Sequence, residues 1–272
     1  MELDDTANNY LAILTSLQSP GLARYGQETR NNIYVVASLF EIEQIRPLML
    51  AILRSFEVGE ARRAFFLLLS WSVRFLIAGG GGGGALEKHY GARAQEITSG
   101  SVKSASALAK AMVDVVPKDT EFKVAFERLR VTKAKLARYY LRCLEKRRRK
   151  EESPHLAEFE APERQENLEH IMPGSATTAW DIPPEITSAY YKRLGNMCLL
   201  GAKQNVAIGN QKYSDKIPTY AESPFLLTQE VVDFSASKWG AEEIERRRRS
   251  LPKKHRSYGR VDIRYGRLGG AA

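Results

Sequence analysis

The amino-acid sequence predicts a mainly α fold with a small α+β part: an N-terminal helical bundle, then a second, smaller domain. Three observations carry this expectation. The first 150 residues place apolar side chains at helical spacing, punctuated by glycine and proline. A polar, proline-bearing stretch, "EESPHLAEFEAPERQ", then reads as a linker or domain entry. Beyond it, motif density rises, and in "NLEHIMP" a Glu169–His170 pair precedes a short apolar–proline ending.

In chain order, "IYVVASLFEIEQIRPLMLAIL" has Ile33, Val36, Leu39, Phe40, Ile42 and Ile45 near helical spacing, and Pro47 should end, kink or restart the helix. "EARRAFFLLLSWSVRFLI" is apolar nearly all round and belongs at the centre of a bundle. At about fifteen residues and with Arg74 inside it, the run 64–78 falls short of the ~20 apolar residues needed to span a bilayer. Six glycines, 79–84, break the pattern; no Gly-Lys-Ser/Thr follows, so the run is a connector and not a phosphate-binding loop. "SVKSASALAKAMVDVVP" reads as a helix ending at Pro117. One long helix is expected from Asp119 onward, with Phe122, Phe126, Leu129, Leu136, Tyr140 and Cys143 as its stripe and the basic run 146–150 at its C-terminus. The expected boundaries are 1–150 for the helical domain, 151–252 for the second domain and 253–272 for a basic, flexible tail.

At 272 residues the chain is long enough for about two domains and a buried core without metal or disulfide support. Two cysteines, Cys143 and Cys198, are too few for a disulfide framework or a four-ligand zinc site. Met1 is followed by Glu2, Asp4 and Asp5, the wrong charge for a signal peptide, and the expected setting is cytoplasmic, with no membrane association. The net charge is +9, and from Lys238 onward eleven basic residues face four acidic ones. Such a basic segment suits a polyanionic partner such as nucleic acid, or a solvated tail. No dinucleotide fingerprint and no Gly-x-Ser-x-Gly context is present, which leaves little support for a small-molecule enzyme or a serine hydrolase.

The chemistry-bearing stretch starts with Glu169 and His170. Asn196 follows within "LGNMCLLGAKQN", and Asn205 comes nine residues later. Each asparagine alone is weak, since asparagine is common in turns. In order, acid–His, Asn, Asn resembles the HNH or His-Me finger nuclease core. The pattern is more specifically similar to the C-terminal domain of the GmrSD family, modification-dependent restriction endonucleases. The matching residues are Glu169, His170, Ile171 and Pro173; Trp180; Leu194, Gly195, Asn196, Leu199 and Leu200; Asn205, Asn210, Tyr213 and Lys216; and Trp239, Ile244, Arg247 and Leu251.

This resemblance implies a ββα-metal domain embedded in helices, hydrolysing phosphodiester bonds in DNA, modified DNA included, within a restriction or phage-defence system. His170 would be the general base, because an imidazole with a reference pKa near ~6.5 is neutral at physiological pH. Glu169 and Asn205 would hold Mg²⁺ or Mn²⁺, with Asn210 the alternative to Asn205. Strand neighbours face opposite ways, so Glu169 and His170 can share one site only through a bulge or a strand end. Asn196 would either stabilise a turn or hold the loop and orient His170. Lys216 would contact phosphate, and Arg247 either phosphate or a structural acid. Trp180 and Trp239 read as core anchors. Full-length members of the family carry an upstream ParB-like nucleotide-binding domain with an Asp-Gly-x-Gln-Arg-type loop. No such stretch is found here, so the expected alternative is a non-catalytic or truncated subunit that binds DNA or a separate nucleotide-binding partner.

Overall fold

The computed structural model describes residues 2–79, 83–149, 166–175 and 180–251. The expected linker at 151–165 and the basic tail lie outside the described residues. The described residues fall into two compact units, 2–126 and 127–251.

The first unit is helical: α1 (Glu2–Leu14), α2 (Gly26–Tyr34), α3 (Arg46–Ser55), α4 (Val58–Ala78), α5 (Gly83–Thr98), α6 (Ala105–Ala111) and most of α7 (Asp119–Glu127). The helix expected through Ile33–Ile45 passes instead from α2 into a π turn, Val35–Leu39. The chain restarts at α3, where Pro47 sits in the first turn and its missing N–H costs nothing. Helix α4 is the expected central element, with Ala61, Ala64, Phe65, Leu68, Leu69, Trp71 and Val73 all buried. It ends at Ala78, where the glycine run begins. Ser104 caps α6 by accepting from the Ala107 amide at 3.1 Å. Arg74, almost fully buried on α4, donates to the Pro117 carbonyl at 2.7 Å, pairs with Asp119 and lies over the Phe122 ring. A long cationic stem is thereby buried with its head neutralised.

The second unit contains α8 (Ala134–Arg149), β1 (Glu166–His170), α9 (Pro184–Tyr190), β2 (Met197–Gly201), α10 (Ala202–Ile208), α11 (Tyr213–Ala221), α12 (Leu226–Gln229) and α13 (Ala241–Ser250). Two expectations are corrected here. The single helix expected from Asp119 is two, because Arg130 leaves the helical path to form an antiparallel bridge with Arg193, and the Val131 amide donates to the Lys192 carbonyl. The domain boundary also falls before α8 rather than after it. Arg142 pairs with Glu166 of β1, and Glu145 accepts from the Leu226 and Leu227 amides at the start of α12, so α8 is held in the second unit.

Strands β1 and β2 form an antiparallel pair with unbroken register, from Glu166 opposite Gly201 to His170 opposite Met197, and α10 follows β2 directly. Glu169 and Cys198 face a core of Ile171, Met172, Leu200, Ile208, Tyr213, Tyr220, Val231, Trp239 and Ile244. Trp239 is buried and stacks on Tyr213, whereas Trp180 is partly buried against the same core. Gly195 lies so close to the Ile244 carbonyl and to Arg248 that any side chain there would collide with α13.

Candidate active site

His170 ends β1, and its imidazole stacks on the ring of Tyr191 at 4.2 Å between centroids, with 26° between planes. Burial, then the charges of Lys192 and Lys216, push the imidazole pKa down from 6.5 to about 4. The ring is therefore neutral at physiological pH, the form able to accept a proton.

Glu169 points the other way, as the unbroken strand alternation requires. Its Oε1 accepts from Lys216 Nζ at 2.7 Å and from the Tyr220 hydroxyl at 2.8 Å, all three groups being buried. Burial pushes the Glu169 carboxyl up, against the opposing pull of the Lys216 ammonium and the Tyr220 hydroxyl. The same carboxylate pushes the Tyr220 hydroxyl further upward, after burial itself.

Asn196 is fully buried and uses its whole amide. Its Oδ1 accepts from the Met172 amide at 2.9 Å and from Trp239 Nε1 at 3.0 Å; its Nδ2 donates to the Met172 and Tyr191 carbonyls at 2.9 and 3.1 Å. The loop just after His170 and the stacking partner Tyr191 are thus tied to one side chain. Asn205, on α10, reaches back to β1, with Nδ2 3.4 Å from the Leu168 carbonyl. Asn210 is exposed beyond the end of α10, and its carbonyl accepts from Trp180 Nε1.

The two expected phosphate contacts are corrected by burial. Lys216 is sealed in the core with Glu169, with the Trp180 ring 5.6 Å from its ammonium. Arg247 is also buried, and donates to the carbonyls of Gly195 and Met197 at 2.8 Å and of Leu227 at 3.1 Å, joining three segments of backbone. Its partners are carbonyls and not a carboxylate. Neither cation can meet a phosphate at the surface.

The expected metal pair does not fit a divalent ion as arranged. A cation at Glu169 would face the Lys216 ammonium on the same carboxylate oxygen, on the side of the strand away from His170. Asn205 offers one neutral carbonyl oxygen, and Mg²⁺ favours carboxylates plus substrate phosphate.

Sequence reasoning missed Tyr191 and Gly174. A Cβ on Gly174 would lie 2.8 Å from the Tyr191 ring, so glycine there lets the ring approach the loop that follows His170. Neither falls on the motif spacing. The signal available was the proline–glycine ending of "EHIMPG" together with the paired tyrosines before "LGN".

A histidine at the end of a two-stranded antiparallel sheet, with a helix directly after the second strand, defines a small α+β domain set among helices. The chain belongs to the GmrSD restriction endonucleases, C-terminal domain, whose family model matches residues 116–254. That match spans the whole described second unit and includes α7. Membership in a restriction-endonuclease family implies nuclease activity with DNA as substrate. No curated protein matches the chain at a significant level. Among the described residues no helix is long and apolar enough to cross a membrane.

Proposed function

We propose that the second unit is a DNA endonuclease of a restriction system, with β1, β2 and α10 as its ββα element and His170 as general base. The observation that carries this reading is the placement of His170 at the end of β1, stacked on Tyr191 and next to the loop that Asn196 holds, in a chain of a restriction-endonuclease family. His170 takes a proton from water as the water oxygen bonds to phosphorus; the bond from phosphorus to the 3′ oxygen breaks, and solvent protonates the leaving oxygen. Activity requires Mg²⁺ or Mn²⁺ in this reading. Such an ion would supply charge neutralisation at the phosphate; Glu169, held by Lys216, does not fit as its ligand as arranged. Lys192, close enough to depress the His170 pKa, adds positive potential beside the base.

The test is plasmid cleavage by the purified full chain with Mg²⁺ or Mn²⁺, beside EDTA and His170→Ala controls. Metal-dependent nicking or linearisation, lost in the variant while DNA binding persists, supports the reading. Loss of binding equal to loss of cleavage contradicts the general-base role.

The engagement of Glu169 by Lys216 favours a second reading: a non-catalytic subunit that binds DNA or a separate nucleotide-binding partner. Folded protein that binds DNA and leaves plasmid intact under every metal condition would support it.

A further inference from the structure

A cleft of about 560 Å³ opens beside the His170 stack, within the second unit. Its lining includes Arg130, Thr132, Thr187, Ser188, Tyr191 and Lys192, with no carboxylate among the described lining residues. Small-molecule sites span about 300–1,000 Å³, so the volume admits a nucleotide. Tyr191 is shared: one ring belongs both to the cleft wall and to the stack on His170.

Two features give the cleft a chemical preference. The Lys192 ammonium makes no hydrogen bond or ion pair among the described residues, and acts on His170 through its charge. The Arg130 guanidinium donates to the Ser188 and Ala189 carbonyls at the end of α9, which holds it at the rim while it stays exposed. In addition Thr187, only 4% exposed, is one of the lining residues, and its hydroxyl has no hydrogen-bond partner among the described residues. A buried hydroxyl normally finds a partner, and two cations among the lining residues suit an anionic ligand.

We propose that this cleft is a subsite for one nucleotide of the nucleic-acid strand, with its phosphate between Lys192 and Arg130 and its sugar or base against Tyr191. The inference rests on the nuclease reading and adds where the strand lies: next to the cleaved phosphate, separated from His170 by one aromatic ring.

The probe is thymidine 3′,5′-bisphosphate, titrated calorimetrically into the full chain in EDTA, so that binding is read without cleavage. The wild-type protein should bind the bisphosphate more tightly than inorganic phosphate or thymidine. Lys192→Ala and Thr187→Val should each weaken it by about tenfold or less, the scale of one lost hydrogen bond. Lys123→Ala, an exposed change in the first unit, should leave binding unchanged. No binding by the wild type, or equal binding by the wild type and Lys192→Ala, overturns the subsite. Bisphosphate bound in the cleft with plasmid left intact keeps the subsite and removes the nuclease reading. Plasmid cleaved equally by wild type and Lys192→Ala, with the bisphosphate unbound, does the reverse.

Discussion

The imidazole of His170 and the phenol ring of Tyr191 lie face to face, 4.2 Å apart. The stack shields one face of the base from water and fixes its plane. Tyr191→Phe should keep both effects, and with them cleavage. Tyr191→Leu should lower cleavage by about tenfold, the scale expected for misplaced base catalysis, and let the His170 pKa rise from about 4 toward 6.5. An imidazole titration by NMR reads that shift directly, and an unmoved pKa would show that Tyr191 does not shield His170.

The depressed His170 pKa has a defined sign for activity and for stability. If His170 acts as the proposed base it must be neutral, so the acid limb of the pH–rate profile should fall near pH 4 and not near 6.5. Lys192→Met removes a charge that disfavours the imidazolium and should move that limb upward. For stability, the unfolded state binds the proton first as pH falls. The contribution is complete above pH 6.5 and is lost between 6.5 and about 4. Urea midpoints of the wild type should drop across that window more than those of His170→Phe.

Glu169 and Lys216 should behave as a buried pair. Glu169→Gln leaves the Lys216 charge uncompensated and should cost about 3–5 kcal/mol by denaturant unfolding. The combination Glu169→Leu, Lys216→Met and Tyr220→Phe removes donors and acceptor together. It should return stability to within about 1–2 kcal/mol of the wild type, since buried pairs replaced by apolar groups are often neutral. A combined variant no more stable than Glu169→Gln would contradict the pairing.

Asn196→Ala should destabilise by about 2–4 kcal/mol, because it strands the Met172 and Trp239 N–H groups in the core. Asn196→Asp keeps the two acceptor bonds and turns two donors into a buried charge facing carbonyls, so it should be no better. Calorimetric unfolding separates this from a purely chemical role, which would leave the melting temperature unchanged.

Gly174→Ala should push the Tyr191 ring away from the loop, since its Cβ would sit 2.8 Å from ring carbon. The expected result is a folded protein whose imidazole NMR signal moves and whose cleavage falls. An unchanged His170 signal would mean that the loop gives way instead of the ring.

Much of the architecture was legible because helical periodicity and proline placement are local. Helix α4 announces itself by an unbroken apolar surface, and α3 by Pro47 in its first turn. The break at Arg130 was not legible, because it comes from pairing with Arg193, more than sixty residues onward. At the site, the motif residues Glu169, His170, Asn196 and Asn205 were all visible in the sequence, but residue type does not reveal burial. Lys216 and Arg247 look like phosphate contacts in a linear motif. In three dimensions one neutralises Glu169, and the other binds carbonyls that no side-chain pattern advertises. Tyr191 escaped notice because stacking requires only an aromatic ring in place, without a fixed spacing from the histidine.

The Arg247 clasp also sets an order for biosynthesis. The carbonyls of Gly195, Met197 and Leu227 acquire their shared guanidinium donor from α13, the last described helix of the second unit. A ribosome extends the chain from the N-terminus, so both strands and the histidine emerge while the partner that fastens β2 is still unmade. A nascent chain stopped short of Arg247 would hold those buried oxygens unsatisfied. The β1–β2 pair is therefore fastened by one of the final residues of the unit to be translated, and prematurely terminated copies would lack the fastening that the finished chain has.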